Sequence, residues 1–143
     1  MRPLALAALL SMPVAAPAQT TEANLSLVSA ELRAACPAGG GRITGGVTER
    51  DLTGDGALDL IVDHKGLTCG DGEPSALCDG PICTVKVWID DGGSMLLTQE
   101  LRARNIRISA ETPPTITAFV GGSGGSDGGG AQLTFTWQMG VFR

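Results

Sequence analysis

The chain reads as an α+β domain: one N-terminal helix packed on a mainly antiparallel, curled β-sheet, bonded by disulfides. Three observations carry that expectation. Only Asn24–Cys36 places apolar residues at helical spacing. From Ile43 onward the apolar residues come in short, mostly alternating runs bounded by Gly, Pro and Asp. No strand–helix–strand rhythm follows, and a parallel sheet needs one.

The N-terminal "MRPLALAALLSMPVAAPAQT" has one Arg, an apolar stretch of Leu and Ala, and then Ala-Pro-Ala at Ala16–Ala18. That is the pattern of a secretory signal peptide over 1–18. Pro13 and Pro17 interrupt an apolar run already too short to span a bilayer. Cleavage after Ala18 leaves one domain, 19–143, expected in the periplasm or secreted. No Cys stands at the cut, so no membrane anchor is expected after cleavage, and the domain is expected to be a monomer.

In the helix, Leu25, Val28, Leu32 and Cys36 fall on one face. Asn24 serves as its N-cap, and Pro37 with Gly39–Gly41 ends it. Strands are expected over Ile43–Arg50, Leu58–His64 and Thr84–Asp90, where Val85, Val87 and Ile89 share a face. "DGGS" at Asp91–Ser94 is a hairpin turn into Met95–Leu101. Asn105–Ala110 and Thr115–Val120 follow, split by Pro113–Pro114, and Leu133–Gln138 is the last strand. The glycine-rich Gly121–Gly130 has no Walker Lys and no following helix, so it reads as a hairpin loop and not a phosphate cradle.

Formal net charge is −5, which leaves no electrostatic footprint for nucleic acid. Ten of the fifteen acids lie between Glu49 and Asp91, so the acidity is local. Aromatics are scarce: two Trp, three Phe and no Tyr give no stacking platform for sugars. His64 is the single histidine, and at the end of a strand it reads as a surface or packing residue before a catalytic base.

Cys36, Cys69, Cys78 and Cys83 are an even set in a small exported chain, which reads as two disulfides. Three pairings are open. The short loop "CGDGEPSALC" favours Cys69–Cys78, leaving Cys36 to tie the helix to Cys83. A zinc set of His64, Cys69, Cys78 and Cys83 is the alternative, but its spacings are loose.

"DLTGDGALDLIVD" at Asp51–Asp63 carries the one chemical signature. Counting Asp51 as position 1, it offers Asp51, Thr53, Asp55, the carbonyl of Ala57, and Asp59. Alternate positions aim their oxygens at one point, and Gly56 permits the sharp turn, as in the first part of an EF-hand loop. Position 12 is Val62 and not the bidentate Glu, so affinity for calcium falls toward about 10⁻⁴–10⁻³ M. Three crowded carboxylates repel. Either a cation or a set of backbone N–H groups must answer that repulsion, and the regular spacing makes calcium the simpler answer.

These residues resemble the D-x-[DN]-x-D-G-x-x-D loops of FG-GAP/VCBS-type and dockerin-type calcium sites. More widely, Glu49–Asp90 is similar to small exported proteobacterial proteins, of no assigned activity, that join a DLNGDGxxD loop to a Cys…C-G-x-x-G-C element. "TWQMGVF" at the C-terminus is a weaker echo. The resemblance implies Asp51, Thr53, Asp55 and Asp59 as ligands, and Cys69, Cys78 and Cys83 as disulfide partners. Thr53 departs from the usual Asn or Asp, and the C-terminal stretch lacks a further cysteine pair. A single loop copy excludes a propeller.

The expected function is an exported, calcium-binding, disulfide-stabilised domain that binds or scaffolds a protein or small-molecule partner without catalysis. The first alternative is a metal-assisted hydrolase using the Asp cluster with His64. The second is an inhibitor or immunity-type protein acting through the exposed loop Asp71–Gly80, "DGEPSALCDG".

Overall fold

Alternation of apolar residues decides how the strands stack, because each strand must bury one face or both. The computed structural model describes residues 22–121 and 130–143. The expected signal peptide and most of the glycine-rich loop lie outside the described residues. The chain forms α1 (Glu22–Ala35), β1 (Gly41–Ile43), β2 (Val47–Arg50), β3 (Asp59–Asp63), a 3-10 turn (His64–Gly66), β4 (Leu67–Cys69) and β5 (Cys78–Asp79). It continues through β6 (Ile82–Asp91), β7 (Ser94–Ala103), β8 (Asn105–Ile108), β9 (Thr115–Val120), β10 (Ala131–Gln138) and β11 (Val141–Phe142).

Every strand pairing among the described residues is antiparallel. The strands do not form the single sheet expected but three. β6 is the spine of the largest: it pairs along one edge with β7 and along the other with β3 and β5. β2 closes that sheet beyond β3. β8, β9, β10 and β11 form a second sheet, and β1 with β4 a small third.

The result is three layers with two cores. Ile61, Val85, Val87 and Ile89 face the second sheet, where Leu52, Ile116 and Ala118 are buried and Phe135, Trp137 and Phe142 pack alongside. Leu60 and Val62 face the opposite way, onto α1, with Val28, Ala35, Leu67 and the Cys36 and Cys69 side chains. All five residues of β3 are therefore buried, which explains its uninterrupted apolar run. Burying each Leu, Ile or Val contributes about 1.5–3 kcal/mol before chain entropy is subtracted.

The helix turns a different face inward from the one expected. Its buried residues are Asn24, Val28, Glu31 and Ala35, while Leu25 is 56% exposed. Asn24 lies inside the helix and not at its cap, and its Nδ2 donates to Glu49 Oε1 at 2.6 Å. The reason is polar: Asn24 and Glu31 both have partners on the sheet side, and those ties set the rotation of the helix.

The expected strand Ile43–Arg50 is two strands. At Gly46, φ is 75°, and an added Cβ would stand 2.2 Å from the Asp63 carbonyl oxygen. Gly66 meets Gly45 equally closely, with a built Cβ 2.1 Å from the Gly45 carbonyl carbon. The backbone bends there to lie against the 3-10 turn, whose Gly66 oxygen accepts the N–H groups of Thr44 at 2.8 Å and Gly45 at 3.2 Å.

The cysteine pairing also departs from expectation. The bonds are Cys36–Cys69 and Cys78–Cys83, and no cysteine is free. Cys69–Cys78 is ruled out because the strand register sets Cys78 directly opposite Cys83, while β4 carries Cys69 under the C-terminus of α1. The zinc set is not assembled either, since its three cysteines are all bridged.

Candidate functional site

The 51–59 loop connects β2 to β3, so both of its ends are fixed by the same strand pair, Arg50 opposite Asp59. Gly54 and Gly56 take φ values of 85° and 90°, left-handed conformations that side chains oppose and that wind the loop around Asp51. Asp51 Oδ1 accepts the Gly54 N–H at 2.6 Å, and its Oδ2 accepts that of Gly56 at 3.0 Å. Asp55 Oδ1 accepts the Ala57 N–H at 2.8 Å. The Thr53 hydroxyl makes only long contacts, 3.4 Å to Asp51 Oδ1 and 3.4 Å from the Asp55 N–H.

Asp59 points the other way. It is fully buried, and its two oxygens accept the Leu52 N–H at 2.6 Å and the Asp90 N–H at 2.9 Å. It pins the start of the loop to β6. Burial pushes its carboxyl above the usual carboxylate range, with the charges of Asp55 and Asp51 adding to the rise, against the lowering effect of the two N–H donors. For Asp51, partial burial raises the carboxyl, but the backbone N–H groups of Gly54, Gly56, Thr53 and Asp55 outweigh it and hold it below the usual value.

Of the expected ligands, Asp51, Thr53 and Asp55 therefore share the loop, Ala57 follows them, and Asp59 is committed to the sheet. Among the described residues, no group of three or more His, Cys, Asp or Glu side chains is arranged to hold a metal ion. The crowding of charge is met by five backbone N–H donors. The donor chemistry remains all oxygen, the kind calcium takes.

A second constellation was not legible as a site. His64 is fully buried in the 3-10 turn. Its Nε2 lies 2.9 Å from Glu31 Oε2, and its Nδ1 lies 3.1 Å from Ser75 Oγ. Lys86 Nζ donates to both Glu31 oxygens at 3.0 Å. Ser75 Oγ accepts the Leu77 N–H at 3.1 Å. Burial pushes the imidazole below its ordinary pKa, and Lys86 adds to that, while Glu31 and Asp63 oppose it. The residues come from α1, the 3-10 turn, the 70–77 loop and β6, with no shared motif. The one signal available was the 4-3-4 spacing of Asn24, Val28, Glu31 and Ala35, which puts an acid on the buried stripe.

The Asp71–Gly80 loop is exposed at Asp71–Pro74, but Ser75 is buried and Ala76 N–H donates to Ala35 O at 2.7 Å. A half-open cleft of about 240 Å³ lies between α1 and the Gly39–Gly41 turn, lined by Leu32, Arg33 and Cys36. No helix of the described residues is long and apolar enough to cross a membrane. Comparison with protein-family models, curated proteins and solved structures finds no match to this chain.

Proposed function

We propose that this chain is an exported domain, working in the periplasm or outside the cell, that binds or scaffolds a partner without catalysis. The observation that carries the reading is the pairing of all four cysteines into two disulfides, bonds that persist in oxidising compartments. The N-terminal pattern of the sequence supports it.

The finer part of the proposal is calcium at the outer face of the 51–59 loop. Asp51, Thr53, Asp55 and the Ala57 carbonyl would hold it, with water completing the shell. Because backbone N–H groups already meet the carboxylates, calcium adds stiffness to a loop that is folded without it. Affinity then falls in the weak range of extracellular modules.

A hydrolase reading has one observation in its favour, the Ser75–His64–Glu31 chain of contacts. Its members are 2%, 0% and 6% exposed, so no substrate reaches the hydroxyl or the imidazole.

Thermal melts with calcium, magnesium and chelator test the metal. At one hundred times its dissociation constant, calcium raises stability by about 2.7 kcal/mol. Magnesium, which demands octahedral geometry, does much less. Asp55→Ala removes the increment and Asp71→Ala keeps it. A melt indifferent to millimolar calcium and to chelator eliminates the calcium part. N-terminal mass spectrometry tests export separately: a chain beginning at Gln19 supports it, and full-length cytoplasmic protein with free thiols overturns it.

A further inference from the structure

Two of the four buried helix residues, Asn24 and Glu31, are polar, so the seat of α1 depends on polar ties to an unusual degree. The central tie is the chain Leu77–Ser75–His64–Glu31–Lys86. With a neutral imidazole every donor in it has an acceptor. The Leu77 N–H donates to Ser75 Oγ, whose own hydrogen goes to the His64 Nδ1 lone pair. His64 Nε2–H donates to Glu31, whose second charge partner is the Lys86 ammonium. Glu31 and Lys86 form a pair with no net charge.

We infer that this chain is an acid-released latch: protonation of His64 frees helix α1 and the 70–77 loop from the β3–β6 sheet, while the Cys36–Cys69 disulfide keeps the freed helix tethered. A proton on Nδ1 turns that nitrogen from acceptor into donor, so the Ser75 O–H hydrogen loses its acceptor in a buried site while the oxygen keeps the Leu77 N–H. It also adds a positive charge where burial opposes charge, and burial outweighs the attraction of Glu31 and Asp63. The charged groups that act on the imidazole are Glu31 from α1, Lys86 from β6 and Asp63 from its own segment, while the Lys65 ammonium is exposed and donates to the Arg104 carbonyl oxygen at 3.2 Å. Glu31 is paired with Lys86, and Asp63, whose Oδ1 accepts the Lys65 N–H at 3.0 Å, exerts the smallest of these influences on the ring.

The sign follows from linkage. In the free state His64 takes its proton near pH 6.5, the ordinary value. In the latched state burial lowers that value. The seat of the helix is therefore fully held above about 6.5 and weakens as pH falls below it, up to tenfold in the closed-to-open ratio per pH unit. Release uncovers Leu60, Val62 and the partly buried Trp88. The other core, between the two sheets, contains none of the latch residues.

Because the chain has a single histidine, its imidazole Cε1–H proton gives one resolved NMR signal. The experiment follows that signal in the oxidised protein from pH 8 to pH 4.5, alongside hydrogen-exchange protection factors of residues 22–35, β3 and β6. His64 is expected to titrate below 6.5. The protection factors of 22–35 are expected to fall as much as tenfold per pH unit below it, while β3 and β6 stay protected. His64→Gln, which cannot titrate, is expected to remove that pH dependence above pH 5. If the variant does not fold, the coincidence of the two wild-type curves decides alone. A midpoint at or above 6.5, constant protection of the helix, or simultaneous loss of protection in α1 and β3 overturns the latch.

Discussion

Asp59 accepts the backbone N–H of Asp90 at 2.9 Å, from a carboxylate that no solvent reaches. That contact ties the end of the acidic loop to the far end of β6, and through the second oxygen it also fixes Leu52. Asp59→Ala leaves two buried N–H groups without acceptors and is expected to cost about 3 kcal/mol or more. Asp59→Asn keeps one acceptor but turns an NH₂ toward the other donor, and is expected to cost about 1–3 kcal/mol. Urea denaturation of the two variants separates the cases; equal, negligible losses would remove the anchoring role.

Arg50 joins the two large sheets. Its guanidinium donates to the carbonyl oxygens of Ser109 and, at 2.6 Å, Glu111. Lysine cannot span both with a planar fork. Arg50→Lys is expected to lose about 1–2 kcal/mol and to raise hydrogen exchange in the 109–115 segment. An unchanged exchange pattern would show that the segment is held by other contacts.

The two disulfides are expected to differ in worth. Cys36–Cys69 spans a sequence separation of 33, and Cys78–Cys83 one of 5. Loop-closure entropy gives about 4 kcal/mol for the first and about 2 kcal/mol for the second. Paired Cys→Ala variants, measured by denaturant unfolding, check the order. Peptide mapping under non-reducing conditions checks the pairing itself, and a Cys69–Cys78 peptide would refute it.

Two glycines test close approach against backbone conformation. A Cβ at Gly66 meets Gly45 backbone at 2.1 Å, so Gly66→Ala forces the 3-10 turn away from residues 45–46. Gly92, in the β6–β7 hairpin, has φ 63° and open space around it. Gly92→Ala is expected to cost about 1 kcal/mol, the left-handed penalty alone. Gly66→Ala is expected to cost clearly more in the same thermal melt, and a smaller loss would mean that the turn shifts freely.

Most strands were legible because their alternation was strong. Thr115–Val120 agrees residue for residue, and Thr84–Asp90 and Met95–Leu101 lie inside the longer β6 and β7. The hairpin between those two strands was announced by Gly92-Gly93, both at positive φ. The short β4, β5 and β11 were not legible: two or three residues carry no period, and they exist because longer neighbours or a disulfide hold them. The division into separate sheets was hidden for a related reason. Ile61 and its neighbours Leu60 and Val62 face opposite cores, and a run apolar on both faces does not say what covers each. The helix is legible but its inward face is not, since hydrophobic periodicity cannot show that Glu31 meets His64 and Lys86. In the acidic loop the spacing was visible, while the inward turn of Asp59 depends on Asp90, thirty-one residues away.

The bridges follow one another along the chain: Cys36 joins Cys69 before Cys78 joins Cys83, with no crossing or nesting. Of the three possible arrangements, this alone links each thiol to the next to appear. A chain that crosses a membrane from its N-terminus and is oxidised as it emerges makes both correct bonds in order. Under the export proposed above, its maturation calls for an oxidase and no isomerase, and its yield is expected to be unchanged in cells lacking disulfide-shuffling activity.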